Sequence, residues 1–151
     1  MRHAQPGDWN TEPLPAAVAI IPLDRRFTPE EMRRIEAGLV PEEMEDKWFI
    51  YWHDDHLYFH RSWTGFCVYV IRFERDGRSA RMVEARVNRD SEQYSETSDS
   101  RDAALIDYLI DVLLLRQHAE FPAGPFDADE AALAEWSEVG RAMLGDGLGG
   151  R

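Results

Sequence analysis

Four short apolar runs separated by turn signals lie between residues 48 and 88, and this pattern constrains the fold more than any other feature. The runs span residues 48–52, 57–63, 66–74 and 80–88. The turns between them are His53-Asp54-Asp55-His56, Thr64-Gly65 and Arg75-Asp76-Gly77-Arg78. An Asp-Gly pair between alternating apolar runs is a strong hairpin signal. Because runs joined by such short turns pair antiparallel, the sequence predicts a four-stranded antiparallel β-meander.

A long helix is predicted to pack on this meander. It spans residues 101–118, is capped by Ser98 or Ser100, and is apolar over most of its circumference. So wide an apolar face is typical of a largely buried helix lying on a sheet. Helices are also predicted before and after it, so the fold class is α+β.

The flanking helices are marked by their capping residues. Thr28 can cap the first one, Pro29 occupies its first position and Glu31 completes a capping box. Asp127 can cap a C-terminal helix that runs to residue 144.

The chain of 151 residues is predicted to form one domain with two flexible ends. Residues 1–15 contain three prolines and no periodic pattern, which indicates a flexible N-terminal arm. Residues 16–145 form the α+β domain, and the glycine-rich residues 146–151 form a flexible tail. The apolar run 17–21, closed by Pro22, is typical of an edge strand or a strap across the core.

Composition excludes several classes of protein. A net charge of -12 disfavours general binding to nucleic acid or to an anionic membrane. A single cysteine excludes a disulfide framework, and no apolar stretch is long enough to span a bilayer. The phosphate-binding glycine motifs of nucleotide-binding proteins are absent. We therefore expect a soluble, cytoplasmic protein without a cofactor.

The charge is distributed unevenly. Residues 47–89 carry a net charge of +3, and the rest of the chain carries -15. This separation predicts that an anionic small molecule would bind the sheet and that a basic protein would bind the acidic helices. Tryptophans exposed on an open sheet would also favour a homodimer.

The second predicted strand has an unusual arrangement of side chains. Alternation places Tyr58, His60 and Ser62 on one face and Leu57, Phe59, Arg61 and Trp63 on the other. Buried polar groups need partners, so these residues either form an internal network or line a cleft whose ligand supplies the partners.

A ligand in such a cleft would be an anion or a planar group. Arg61 could hold a phosphate or carboxylate, and Arg72 and Arg86 on neighbouring strands could add to its field. The remaining candidates are Tyr58, His60, the hydroxyls of Ser62 and Thr64, and the rings of Trp52 and Trp63. In an enzyme, His60 would be the catalytic acid or base and Arg61 the anion clamp.

Two other groups of residues are weaker candidates. His53, His56 and His60 are residue types that bind metals, but His53 and His56 flank a turn that is ordinarily polar, and their spacing matches no zinc pattern. Cys67 lies in an apolar run and is typical of a core thiol rather than a nucleophile. The sequence therefore predicts no metal site.

The hairpin Lys47-Trp48-Phe49-Ile50-Tyr51 followed by Leu57-Tyr58-Phe59-His60-Arg61-Ser62-Trp63-Thr64-Gly65 resembles one in small bacterial proteins. The resemblance implies a bacterial source and makes the hairpin the functional element, but brings no activity, fold or ligand. The function predicted is a non-enzymatic module that binds a ligand or a protein through the aromatic sheet. The alternative is a small enzyme acting on a phosphorylated or nucleotide-like substrate.

Overall fold

The computed structural model describes residues 3–43 and 46–117, which form an α+β fold. The strands are β1 (Val18–Phe27), β2 (Trp48–His53), β3 (His56–Arg61), β4 (Cys67–Asp76) and β5 (Ser79–Asn88). The helices are α1 (Pro29–Ala37) and α2 (Asp99–Leu109), with a short 3-10 helix at Pro6–Asp8. The five strands form one antiparallel sheet in the order β1-β5-β4-β3-β2.

The sheet has one strand more than the sequence predicts. β1 pairs with β5 along almost its whole length, so the prediction of a four-stranded meander is wrong by one edge strand. The apolar run 17–21 is only the first half of this strand, which continues past Pro22 to Phe27. An edge strand tolerates proline, and the register shift between Pro22 and Arg25 absorbs the irregularity.

Helix α1 begins as its sequence predicts. The backbone N–H of Glu31 donates to the Thr28 hydroxyl (3.1 Å), and the Thr28 N–H donates to the Glu31 carboxylate (2.9 Å). Gly38 ends the helix at a φ of 70°, where a side chain would overlap the Ile50 carbonyl. The predicted C-terminal helix (127–144) and tail (146–151) lie outside the described residues.

Helix α2 packs its apolar residues on one face of the sheet, here called the core face. The Ser98 side chain caps the helix by accepting from Arg101 N, which selects Ser98 over Ser100. After Leu109 the chain continues as a π-helical segment, Ile110–Leu114, whose apolar side chains are also buried. The predicted helix end at residue 118 lies beyond the part of the chain described. The core combines this helix with the strand residues Trp48, Leu57, Phe59, Tyr69, Ile71 and Met82.

A buried carboxylate attaches α2 to the sheet. Asp102 is fully buried, accepts from the hydroxyls of Tyr94 (2.6 Å) and Tyr69 (3.1 Å), and pairs with Arg89 (2.6 Å). Burial raises the pKa of Asp102 in spite of these partners, which act in the opposite direction. The network therefore fixes the start of α2 against the sheet through a carboxylate that is fully buried.

Among the described helices, none has the length and apolarity needed to cross a membrane.

Candidate functional site

Residues 3–15, here called the strap, cross the face of the sheet that α2 leaves uncovered, here called the outer face. Hydrogen bonds that hold the strap include Ala4 N to Ala37 O (2.7 Å), Trp9 Nε1 to Ser62 O (2.7 Å), and Glu12 N to Gly65 O (2.8 Å). The flexibility that the sequence predicts for residues 1–15 stays a prediction. The described part of the arm is packed on the sheet, since Ala4 is buried against Phe49 and Tyr51.

The outer face under the strap is aromatic. Register in the β2–β3 hairpin sets Tyr51 opposite Tyr58 and Phe49 opposite His60. The rings of Tyr51 and Tyr58 stack 4.7 Å apart at 8°, and those of Tyr51 and His60 stack 5.7 Å apart at 14°. Three nearly parallel rings therefore line this part of the sheet.

A pocket of about 300 Å³ lies between the strap and these rings. Its lining consists of Thr11, Glu12, Pro13 and Leu14 from the strap, and of Tyr51, Tyr58, His60, Cys67 and Val70 from β2, β3 and β4. This volume is at the lower end of the range of small-molecule sites, about 300–1,000 Å³.

His60 is the one strongly buried polar side chain among the residues that line this pocket. It is only 3% exposed, and its Nδ1 lies 2.9 Å from the Gly65 carbonyl oxygen. Because a carbonyl only accepts, Nδ1 carries the hydrogen and donates it. The other nitrogen, Nε2, is buried without a partner. Burial lowers the pKa of His60, so the ring is neutral at pH 7 and Nε2 is a free acceptor.

Gly65 positions both His60 and the strap. Its φ of 79° is in the left-handed region, and a side chain there would come within 3.0 Å of Asn10 on the strap. This turn aims the Gly65 carbonyl at His60 Nδ1 and at Glu12 N. The predicted turn Thr64-Gly65 therefore supports the site through the Gly65 carbonyl, outside the pocket lining.

The three predicted anion-binding arginines do not converge. Arg61 lies on the core face, with its guanidinium 4.7 Å from the centroid of the Trp48 ring. Arg72 and Arg86 lie on the outer face, and each is 3.9 Å from the Glu84 carboxylate. The sheet separates Arg61 from both the other arginines and the His60 pocket.

The other predicted site residues also lie outside the pocket. Ser62 and Thr64 follow the end of β3, where the Ser62 hydroxyl donates to the Asp46 carbonyl and the Thr64 hydroxyl accepts from Phe66 N (3.2 Å). Trp63 is 65% exposed and lies 3.7 Å from Lys47 Nζ. Trp52 lies on the core side, 4.9 Å from the Phe73 ring.

The three candidate metal ligands lie at different ends of the hairpin. His53 pairs with His56 across the turn, and His56 Nδ1 lies 2.7 Å from the Asp54 carbonyl oxygen. His60 is four residues along the strand, about 13 Å away at 3.3 Å per residue. Within residues 3–43 and 46–117, no cluster of three metal-binding side chains is present.

Of the predicted candidates, the pocket contains Tyr58 and His60. Sequence reasoning missed Tyr51, Cys67, Val70 and residues 11–14 of the strap. Tyr51 could have been found from the hairpin register, which sets it opposite Tyr58. Residues 11–14 carry no such signal, because contact across more than 40 residues leaves no periodic pattern.

Comparison of the chain with protein-family models, with curated proteins and with solved structures finds no match.

Proposed function

We propose that this protein is a non-enzymatic binding module whose small ligand occupies the pocket between the strap and the outer face. The observation that carries the proposal is His60, a residue of the pocket lining whose Nε2 is buried without a hydrogen-bond partner. An unpaired polar atom in the interior costs about 1–3 kcal/mol, and a ligand that pairs with it recovers this energy. The site predicted from the sequence also lies on the aromatic sheet. Tyr58 and His60 belong both to that predicted site and to the pocket.

The residues around the pocket favour binding over catalysis. Burial raises the pKa of the Cys67 thiol to about 12, so the thiolate needed for nucleophilic attack is scarce at neutral pH. The alternative enzyme needs Arg61 and His60 on one substrate, but these residues lie on opposite faces of the sheet. The combination of an anion clamp with an acid or base is therefore not assembled.

The proposal is tested by screening a library of small fragments against the ¹⁵N-labelled protein by NMR. We expect the fragments that bind to shift the resonances of Tyr58, His60 and Val70. Val70→Phe fills the pocket from β4 and should abolish these shifts.

Ile20→Phe is the matched control, because Ile20 is exposed on the outer face of β1 and lies outside the pocket lining. This variant should bind the same fragments as the wild type. A screen without binders, or fragments that bind Val70→Phe as well as the wild type, would contradict the proposal.

A further inference from the structure

We infer that the ligand is a small, flat, uncharged molecule that donates one N–H or O–H group to Nε2 of His60. This inference rests on the proposed function and names the class of ligand. Three features of the pocket lead to it: the direction of one hydrogen bond, the shape of the aromatic wall and the charge of the lining.

The direction of the hydrogen bond is set by Gly65. Its carbonyl oxygen, 2.9 Å from Nδ1, fixes the ring tautomer that leaves a lone pair on Nε2. A partner at Nε2 must therefore be a donor. A ligand with an N–H or O–H group supplies this donor.

The shape of the wall favours a flat ligand. Tyr51 stacks between Tyr58 and His60 at interplanar angles of 8° and 14°, so the rings share nearly one orientation. Because both neighbours cover Tyr51, a planar ligand would meet the edges of these rings or the outer face of the stack, in contacts worth about a fewfold in affinity each. Leu14 and Val70 extend the wall with apolar surface.

The charge of the lining disfavours anions. Among the described residues that line the pocket there is no lysine or arginine, and Glu12 contributes a carboxylate at the exposed rim. Burial also raises the pKa of Tyr51 to about 12, so its hydroxyl stays neutral. The predicted anionic ligand of the sheet would meet no cation in this pocket, whereas an uncharged donor meets a free acceptor.

The test compares three probes of similar shape: indole, which has one N–H donor; benzofuran, which has an oxygen in its place; and indole-3-carboxylate, which adds a negative charge. Dissociation constants are measured by NMR titration of the full chain at pH 7.5. We expect indole to bind at least tenfold more tightly than benzofuran, because benzofuran leaves Nε2 unpaired. Indole-3-carboxylate should bind more weakly than indole.

His60→Phe keeps an aromatic ring but removes the acceptor, so the ratio between indole and benzofuran should fall to about one. His56→Phe, on the same strand outside the pocket, should keep the wild-type ratio. A second measurement needs no variant. In long-range ¹H–¹⁵N spectra of the wild type, the His60 Nε2 resonance should shift when indole is added and should stay unchanged when benzofuran is added.

Equal affinities for indole and benzofuran, or tighter binding of indole-3-carboxylate, would overturn the inference. If fragments bind the pocket but none of the three probes does, the inferred class of ligand is wrong and the proposed binding site is still supported. If the fragment screen also fails, the proposed function is wrong as well.

Discussion

His60 and Glu12 share one hydrogen-bond acceptor, the carbonyl oxygen of Gly65, at 2.9 Å and 2.8 Å. One atom therefore fixes the tautomer of the buried imidazole and the position of the strap above it. A substitution at Gly65 should therefore disturb both the His60 ring and the strap at Glu12.

Gly65→Ala is expected to destabilise the fold and to loosen the strap. The left-handed φ costs a side chain about 1–2 kcal/mol, and the contact with Asn10 adds to this. Gly77→Ala is the matched control, because Gly77 has a similar φ of 65° with open space around it. In urea denaturation, Gly65→Ala should lose about 1 kcal/mol more than Gly77→Ala, and only Gly65→Ala should speed hydrogen exchange at the Glu12 amide. Equal losses would mean that the strap does not depend on Gly65.

The stability of the protein should fall on the acid side partly through His60. Burial lowers the pKa of His60, so the unfolded chain takes up a proton at a higher pH than the folded chain. The contribution of neutral His60 is present above the ordinary pKa of about 6.5 and is lost as the pH falls through the lowered value. The titratable groups around the ring are Tyr58 on its own strand, Tyr51 on β2, Cys67 on β4 and Glu12 on the strap.

This pH dependence is measured as the free energy of unfolding between pH 7.5 and pH 4.5. His60→Phe should flatten the profile by up to about 1.4 kcal/mol per pH unit over the window in which His60 titrates. Ile20→Phe removes no titratable group and lies outside the pocket lining, so it should leave the slope of the wild type unchanged. A His60→Phe profile parallel to that of the wild type would show that His60 carries no such contribution.

Asp102→Ala is expected to be among the most damaging single substitutions. It leaves Arg89 and the hydroxyls of Tyr69 and Tyr94 without their shared acceptor, a loss of about 3–5 kcal/mol for a broken buried pair. Asp99→Ala removes the other carboxylate on Arg89, 2.8 Å away, but Asp99 is exposed and should cost less than about 1 kcal/mol. The free energy of unfolding of the two variants is measured by thermal or urea denaturation. Similar losses would contradict the claim that the burial of Asp102 makes its loss costly.

The β2–β3 turn should be stabilised by glycine. Asp54 and Asp55 both have positive φ, 52° and 59°, a combination typical of a type I′ turn that favours glycine at its second position. Asp55→Gly should therefore be more stable than Asp55→Ala by about 1 kcal/mol. Both variants lose the ion pair with Arg75 at 3.2 Å. The difference between their free energies of unfolding therefore measures the backbone preference for glycine alone. A difference near zero in urea denaturation would contradict the turn geometry.

The local elements of this fold could be predicted because their signals are short in sequence. The capping box at Thr28 and Glu31 and the Ser98 cap each depend on residues within a few positions. The Asp76-Gly77 signal predicts the hairpin, but the turn itself is Gly77-Arg78, because Asp76 pairs with Ser79. The length of β1 could not be predicted, because Pro22 normally ends a strand and only pairing with the distant β5 continues it.

Two of the nine residues that line the pocket, Tyr58 and His60, could be predicted for the same reason. Alternation along β3 correctly grouped Tyr58 with His60 and placed Arg61 on the opposite face. The expectation that Arg72 and Arg86 share a field with Arg61 rests only on their positions in neighbouring strands. The register of the sheet places Arg61 on the core face, since each step along a strand reverses the direction of the side chain. The strap lies over the outer face through tertiary contacts alone, which a pattern along the chain does not contain.

The hydrogen bonds of the strap also bear on how much of the time the pocket is open. Beyond Ala4, the strap is held to the sheet by the Trp9 indole and the Glu12 amide, each worth about 1 kcal/mol net. An opening that costs about 2 kcal/mol is populated a few per cent of the time and recurs within nanoseconds to microseconds, as loops of this length do. A ligand would enter without waiting for the domain to unfold, and its residence time would depend on how firmly it holds the strap closed.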